Sequence, residues 1–248
     1  MKKIVLLLVS TILFSKFSLA QIGFDRSRII FDASTRSSQS LVLRNEDSVS
    51  PFLAQAWIED ERGQKIVSPL AALPVLQRLD PQEEKMLRIS PIGSDANLAS
   101  DRETMYFLNV VGVPPKSPDN LNEVSMVIQS KLKLFYRPAG LPKYKENQWF
   151  IDIVVKKTGT NTIVLENPSP FYSVIYGFVD ARGKTVEKDI NLKPFGTSEV
   201  RSFNAGNSFS MLLIDDYGAS IKMNYSCNSS NICYGEYADE LRRARVKK

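Results

Sequence analysis

The residues of this chain best suited to chemistry lie in Ser130-Lys131-Leu132-Lys133-Leu134-Phe135-Tyr136-Arg137-Pro138. Lysines alternate with strand-forming apolar residues, an arginine follows, and a proline ends the run. Upstream, Val124, Met126 and Ile128 fall on one face of the same alternation, because successive residues of a strand point to opposite faces. A strand that is apolar at one end and cationic at the other suits an extended peptide ending in a negative charge. A further cation, Arg28, sits in Asp25-Arg26-Ser27-Arg28-Ile29-Ile30-Phe31, between polar and apolar residues. If Arg28 and Lys133 converge in a cleft, they can bind a carboxylate through charge-assisted hydrogen bonds, each worth roughly 1.5–3 kcal/mol net. Spacing leaves open whether they converge or are solvated charges on exposed faces. It also leaves open whether Val124, Met126 and Ile128 fill their own domain core or meet a partner strand.

Other chemistries lack their parts. The chain has no histidine, which removes the commonest general base and the usual Ser-His-Asp and Cys-His pairs. No glycine-rich phosphate loop follows a strand and precedes a helix. Carboxylate-only catalysis needs two acids converging on one bond. The adjacent acids Asp215-Asp216 and Glu83-Glu84 point to opposite faces if they lie on strands, so neither makes a natural dyad. Binding therefore outranks catalysis, and the expectation is a protein that is not an enzyme and uses no cofactor. Cys227 and Cys233 are the only cysteines. In an oxidising compartment so close a pair forms a small loop-closing disulfide. No metal site is expected, since two thiolates without histidine leave a zinc site half-filled.

The elements that must position these groups read as all-β. Residues 1–20 form a secretory signal: Lys2 and Lys3 open it, Ile4 to Phe14 is a short apolar core, and Ser18-Leu19-Ala20 offers small residues for cleavage. An uncleaved anchor is the rival reading of that stretch. No later segment is long and apolar enough to cross a bilayer, so a soluble, exported chain without membrane insertion is expected. Three of the 32 basic residues lie in the leader and none of the 27 acidic ones, leaving 29 against 27. That balance gives no reason to expect nucleic acid. Strands are predicted over Phe24–Phe31, Leu41–Arg44, Pro51–Glu59, Met86–Ser90, Met105–Val111, Trp149–Val155, Thr162–Glu166, Phe171–Val179 and Ser208–Ile214, besides the run from Val124. These spacings suit antiparallel sandwiches. Pro138-Ala139-Gly140-Leu141-Pro142 cannot continue a ladder. It divides the chain into one sandwich over 21–140 and another over 141–238. Residues 239–248 are a basic tail, read as a frayed, solvated terminus ahead of a functional arm.

The residues also carry a resemblance. Asp25-Arg26-Ser27-Arg28, Leu53-Ala54-Gln55-Ala56-Trp57-Ile58-Glu59, Gln77-Arg78-Leu79-Asp80-Pro81, Asp101-Arg102-Glu103-Thr104, Val113-Pro114-Pro115 and Lys133-Leu134-Phe135-Tyr136-Arg137-Pro138 occur in the first half. Asn167-Pro168-Ser169-Pro170-Phe171-Tyr172, Pro194-Phe195-Gly196, Asp215-Asp216-Tyr217-Gly218 and the terminal cysteine pair occur in the second. In order and spacing the chain resembles the periplasmic pilus (fimbrial) assembly chaperones of the chaperone–usher pathway, over nearly all of the mature sequence.

The resemblance implies two immunoglobulin-like sandwich domains set at an angle with a cleft between them. It implies an ATP-independent periplasmic chaperone that completes a pilin subunit's unfinished sandwich with its own strand and delivers the subunit to an outer-membrane usher. Arg28 and Lys133 correspond to the pair that anchors the subunit's terminal carboxylate. Val124, Met126 and Ile128 correspond to the strand residues that fill its groove. Glu103, Arg137 and Asp216 correspond to a charged network between the domains. The exposed strand of the free protein also offers a surface for self-association. Leu73-Pro74-Val75 departs from the Thr-Pro-Pro turn that the family often shows, where a proline is cis. The short loop Lys116 to Glu123, without extra cysteines, resembles the branch that usually builds rod-like pili. The alternatives are a fibre subunit or adhesin of two sandwich domains, and a secreted carbohydrate-active enzyme or lectin. Gln21-Ile22-Gly23 is too short for a pilin's donor extension, and no cluster of aromatics or carboxylates can be assembled for a sugar site.

Overall fold

The computed structural model describes residues 22–35, 37–93, 98–115, 126–144 and 148–235. The leader 1–20, Val124, the loop 116–123 and the tail 239–248 lie outside the described residues. The first half carries β1 (Ile22–Phe24), β2 (Arg28–Asp32), β3 (Gln39–Asn45), β4 (Phe52–Glu59), β5 (Lys65–Ile66), β6 (Leu70–Leu73), β7 (Leu76–Leu79), β8 (Glu84–Pro91), β9 (Thr104–Val113) and β10 (Ile128–Arg137). The second half opens with a 3₁₀ turn at Gln148–Asp152. It continues with β11 (Val154–Gly159), β12 (Thr162–Glu166), β13 (Ser173–Val179), β14 (Thr185–Leu192), β15 (Thr197–Arg201), β16 (Ser208–Ile214), β17 (Ser220–Cys227) and β18 (Ile232–Gly235).

Alternation builds the first sandwich. Phe52, Ala54, Ala56 and Ile58 point inward from β4, and Leu41 and Leu43 from β3, with more exposed residues between them. One sheet runs β1-β3-β8-β6; the other runs β2-β10-β9-β4-β5, with β7 also paired to β4. Their inner faces share one apolar core that includes Leu87, Ile89, Leu108 and Leu134, as sandwich packing requires. In the second half eight strands follow one path, β14-β13-β16-β17-β18-β11-β12-β15, and enclose a separate core around Trp149, Phe178, Phe203, Phe209 and Tyr225. Both halves are immunoglobulin-like β-sandwiches.

Two sequence expectations are corrected. The predicted strand Phe24–Phe31 is two short strands in different sheets, β1 against β3 and β2 against β10. The chain changes sheets at Asp25, whose Oδ1 accepts the Val42 N–H at 3.1 Å. Trp149–Val155 is a strand only from Val154. Trp149, Phe150 and Ile151 are all buried; a strand would turn every second one to the opposite face, whereas a helical turn buries the three in succession. Strands β5, β6, β7, β14, β15, β17 and β18 were not foreseen, being very short or largely polar. The Leu73–Pro74 peptide is cis despite the departure from Thr-Pro-Pro, and so is Ser68–Pro69.

Cys227 and Cys233 are bonded to each other and face one another across the β17–β18 hairpin. Closing so short a loop lowers the entropy of the unfolded chain, worth about 2 kcal/mol. Replacing both cysteines by serine is therefore expected to lower the denaturant midpoint modestly without loss of the fold. Chemical denaturation of the two proteins checks this, and an unfolded variant would contradict it.

Candidate peptide-binding cleft

β10 is the element on which the cleft is built. It pairs with β9 over Ile128–Tyr136, antiparallel, and with β2 only from Lys133 onward, parallel. On the β2 side the stretch Ile128–Leu132 has no partner strand among the described residues. An edge of this kind presents unpaired N–H and C=O groups and can accept another chain. Leu132, Leu134 and Tyr136 turn into the first sandwich core, while Phe135 faces the other way. There it packs with Met105, Tyr172 and Val174 in a small cluster drawn from both halves of the molecule. The C-terminal end of β10 is thus held on both faces and its N-terminal end is not. Met126, just before β10, is 69% exposed and Ile128 36% exposed.

Arg28 and Lys133 are directly opposite one another in the β2–β10 register. They come together although 105 residues separate them in sequence. Both project on the side of the sheet that carries Ile30 and Phe135, towards the second half. Arg28 is buried, its Nη1 donates to the Ile214 carbonyl at 3.3 Å, and its Nε is buried without a hydrogen-bond partner. Burial pulls its pKa down from the ordinary arginine value, and the nearby Asp216 and Asp215 oppose that pull. A groove of about 530 Å³, lined by Asp25, Arg28, Arg137 and Asp216 among others, leads to it. Lys133 is 22% exposed and pairs with Asp189 at 3.4 Å. Two cations, one with an unused buried donor, stand where the open edge of β10 ends. That arrangement can hold a carboxylate.

Behind them Arg137 ties the halves together. Its Nε donates to Glu103 Oε1 at 2.7 Å and its Nη2 contacts the same oxygen at 2.6 Å and Asp216 Oδ2 at 3.1 Å. The guanidinium lies over the rings of Phe171 and Trp149, 4.8 and 5.6 Å from their centroids, a cation–π arrangement. Glu103 Oε2 accepts the Tyr172 N–H at 2.7 Å. Burial pushes the pKa of Glu103 upward, and Arg137 and that N–H pull it back. Asp216 is also raised by burial, against the pull of Arg137 and Arg28.

The structure brings Arg28 next to Lys133 and joins Glu103, Arg137 and Asp216; Met126 and Ile128 lie at the exposed end of β10. Three participants escaped the sequence reading. Tyr172 bridges both halves, donating its N–H to Glu103 and its hydroxyl to Glu61 Oε1 at 2.8 Å. Glu61 itself lies in what reads as an ordinary polar turn, and Asp189 in a strand that reads as surface. Neither carries a local signal that could have found it.

Comparisons with known proteins agree on one family. Residues 21–142 match the profile described as "Pili and flagellar-assembly chaperone, PapD N-terminal domain", and residues 148–225 that described as "Pili assembly chaperone PapD, C-terminal domain". The chain is 35% identical over 221 residues to "Chaperone protein PmfD" of Proteus mirabilis (strain HI4320), covering 86% of this chain and 85% of that one. It superposes on a chain of the Salmonella enterica SafA pilin–SafB chaperone complex with a TM-score of 0.73 at 24% identity, covering 85% of this chain and 98% of that one. The periplasmic chaperone SfaE gives a TM-score of 0.66 at 26% identity, with coverage of 82% and 98%.

Proposed function

Because the chain belongs to the periplasmic pilus-assembly chaperone family, we propose that it binds an unfinished pilin subunit with β10 and passes it to an outer-membrane usher. The observation that carries the strand reading is where β2 begins. β2 runs parallel to β10 and starts, at Arg28, opposite Lys133. A client strand laid on the open stretch Ile128–Leu132 in the same direction ends where β2 starts. Its terminal carboxylate then meets Arg28 and Lys133. The reverse direction would bring an ammonium to two cations, so charge selects the parallel arrangement.

In this reading Met126 and Ile128, with Val124 before them, enter the groove that the subunit's missing strand leaves open. Each apolar side chain so buried contributes roughly 1.5–3 kcal/mol. The carboxylate anchor sets the register, because a slip of one residue would turn the apolar set away from the groove. Glu103, Arg137 and Asp216 serve to hold the two sandwiches in the orientation that keeps the anchor facing the second half.

Introducing a charge at Met126 tests the strand. With Met126→Glu, complex recovered from the periplasm after co-expression with a pilin subunit that the wild type binds is expected to fall at least about tenfold, given the burial at stake. The melting temperature of the free protein should barely move, since the side chain is largely exposed. A large drop in that temperature, or an undiminished yield of complex, contradicts the proposal.

A further inference from the structure

Resting on that reading of the cleft, we propose that Asp189 is an internal competitor for the client's terminal carboxylate, holding Lys133 in the free protein and leaving it when a client docks. Asp189 Oδ1 lies 3.4 Å from Lys133 Nζ. It presents to the ammonium the same functional group that a peptide C-terminus would. The two residues come from opposite sides of the cleft, Lys133 from β10 of the first sandwich and Asp189 from β14 of the second.

The backbone is shaped for this. Along the β13–β14 ladder Ile175 pairs with Ile190, and the next pair is Gly177 with Glu187. Lys188 and Asp189 therefore share the space opposite Tyr176. Such a bulge re-aims a side chain that a regular ladder would direct elsewhere. The strand that carries it is the edge of its sheet, and the bulge lies where that edge borders the anchor lysine.

The pair is also built to yield. The Asp189 side chain is 81% exposed against 22% for Lys133. An acid so well hydrated gains little from the contact and loses little when it lets go. The acids near Arg28 are different, because each is already engaged. Asp216 is bound to Arg137, and Asp215 Oδ1 accepts the N–H groups of Tyr217 and Ala219. Of the two cations, the lysine is the one with a loosely held acid beside it among the described residues. A small free anion would gain that lysine alone and would have to displace Asp189. A carboxylate at the end of an extended strand also gains Arg28 and the open edge of β10. Displacing Asp189 costs both ligands the same, and the strand-terminal carboxylate has Arg28 and the open edge to offset that cost.

The test uses the full chain and a short synthetic peptide of alternating valine and threonine, prepared with a free C-terminal carboxylate and with an amide. Asp189→Asn is expected to tighten binding of the acid about two- to fivefold, the scale of an exposed ion pair. Binding of the amide should stay unchanged, and the gain should shrink at high salt. Asp189→Ser repeats the measurement without an amide oxygen that could still accept from Lys133, and thermal melting checks that both variants fold. If both variants bind the acid no more tightly than the wild type, Asp189 is not a competitor, even where acid is preferred to amide. If the wild type binds acid and amide equally, the carboxylate anchor itself is wrong and the competitor falls with it.

Discussion

Lys133→Ala is expected to abolish recoverable chaperone–pilin complex while leaving the free protein folded. The ammonium is reachable by solvent, and its one described ion pair is the weak contact with Asp189. Folding therefore loses less than about 1 kcal/mol when it is removed. The client loses a charge-assisted hydrogen bond worth roughly 1.5–3 kcal/mol, which is about ten- to a hundredfold in affinity. Arg28→Ala should give the same binding defect with a somewhat larger stability cost. Arg28 is buried and donates to the Ile214 carbonyl across the two halves. Its unpartnered Nε is the donor that a carboxylate would satisfy. An amidated subunit should bind the wild type at least as weakly as the free acid binds Lys133→Ala, since amidation also removes the charge that Arg28 would hold. Co-expression followed by quantitation of periplasmic complex measures the effect, and thermal melting separates binding from folding. A normal yield of complex from Lys133→Ala would mean that the client's terminal acid docks elsewhere.

Much of this fold is written in local pattern. Phe52 to Glu59 alternates inward and outward as its sequence suggests, and Thr162–Glu166 and Ser208–Ile214 are strands with the bounds their residues imply. Trp149, Phe150 and Ile151 misled because a run of large apolar residues satisfies a buried strand and a buried 3₁₀ turn alike. The strand Thr185–Leu192 was missed because its apolar residues Val186, Ile190 and Leu192, which pack on the second core, are separated by the polar bulge at Lys188 and Asp189. The cleft was less legible than the strands. No periodicity links Arg28 to Lys133, since their contact comes from a parallel pairing of distant segments. Glu103 reads as one more charge in Asp101-Arg102-Glu103, yet its side chain is 2% exposed beside Arg137. Only the family resemblance singled it out, because burial of a charge is a property of the assembled molecule. Asp189 had neither pattern nor resemblance to mark it.

The largest stability effect is expected at Arg137. Arg137→Ala removes the cation that Glu103 and Asp216 share, leaving a fully buried carboxylate unpaired, and such losses cost about 3–5 kcal/mol. The rings of Trp149 and Phe171 lose their cation as well. Because Glu103 belongs to the first half and Asp216 and Tyr172 to the second, the variant should unfold in two calorimetric steps where the wild type unfolds in one. Burial already pushes Glu103 above the ordinary carboxylate value, and Arg137 opposes that push. Without the arginine the folded-state value rises further above the unfolded one. Between those two values the folded state holds more protons than the unfolded state, so stability falls as pH rises through the window. The penalty of Arg137→Ala should therefore be greatest at mildly alkaline pH and shrink as the solution is acidified towards the ordinary carboxylate value. Adding Glu103→Gln to Arg137→Ala should remove most of that pH dependence, since the group that takes up the proton is gone. Denaturant unfolding of the single and double variants across pH measures this. A penalty that is flat with pH, or that grows in acid, would show that Arg137 acts through packing on the aromatic rings and not through the buried charge of Glu103.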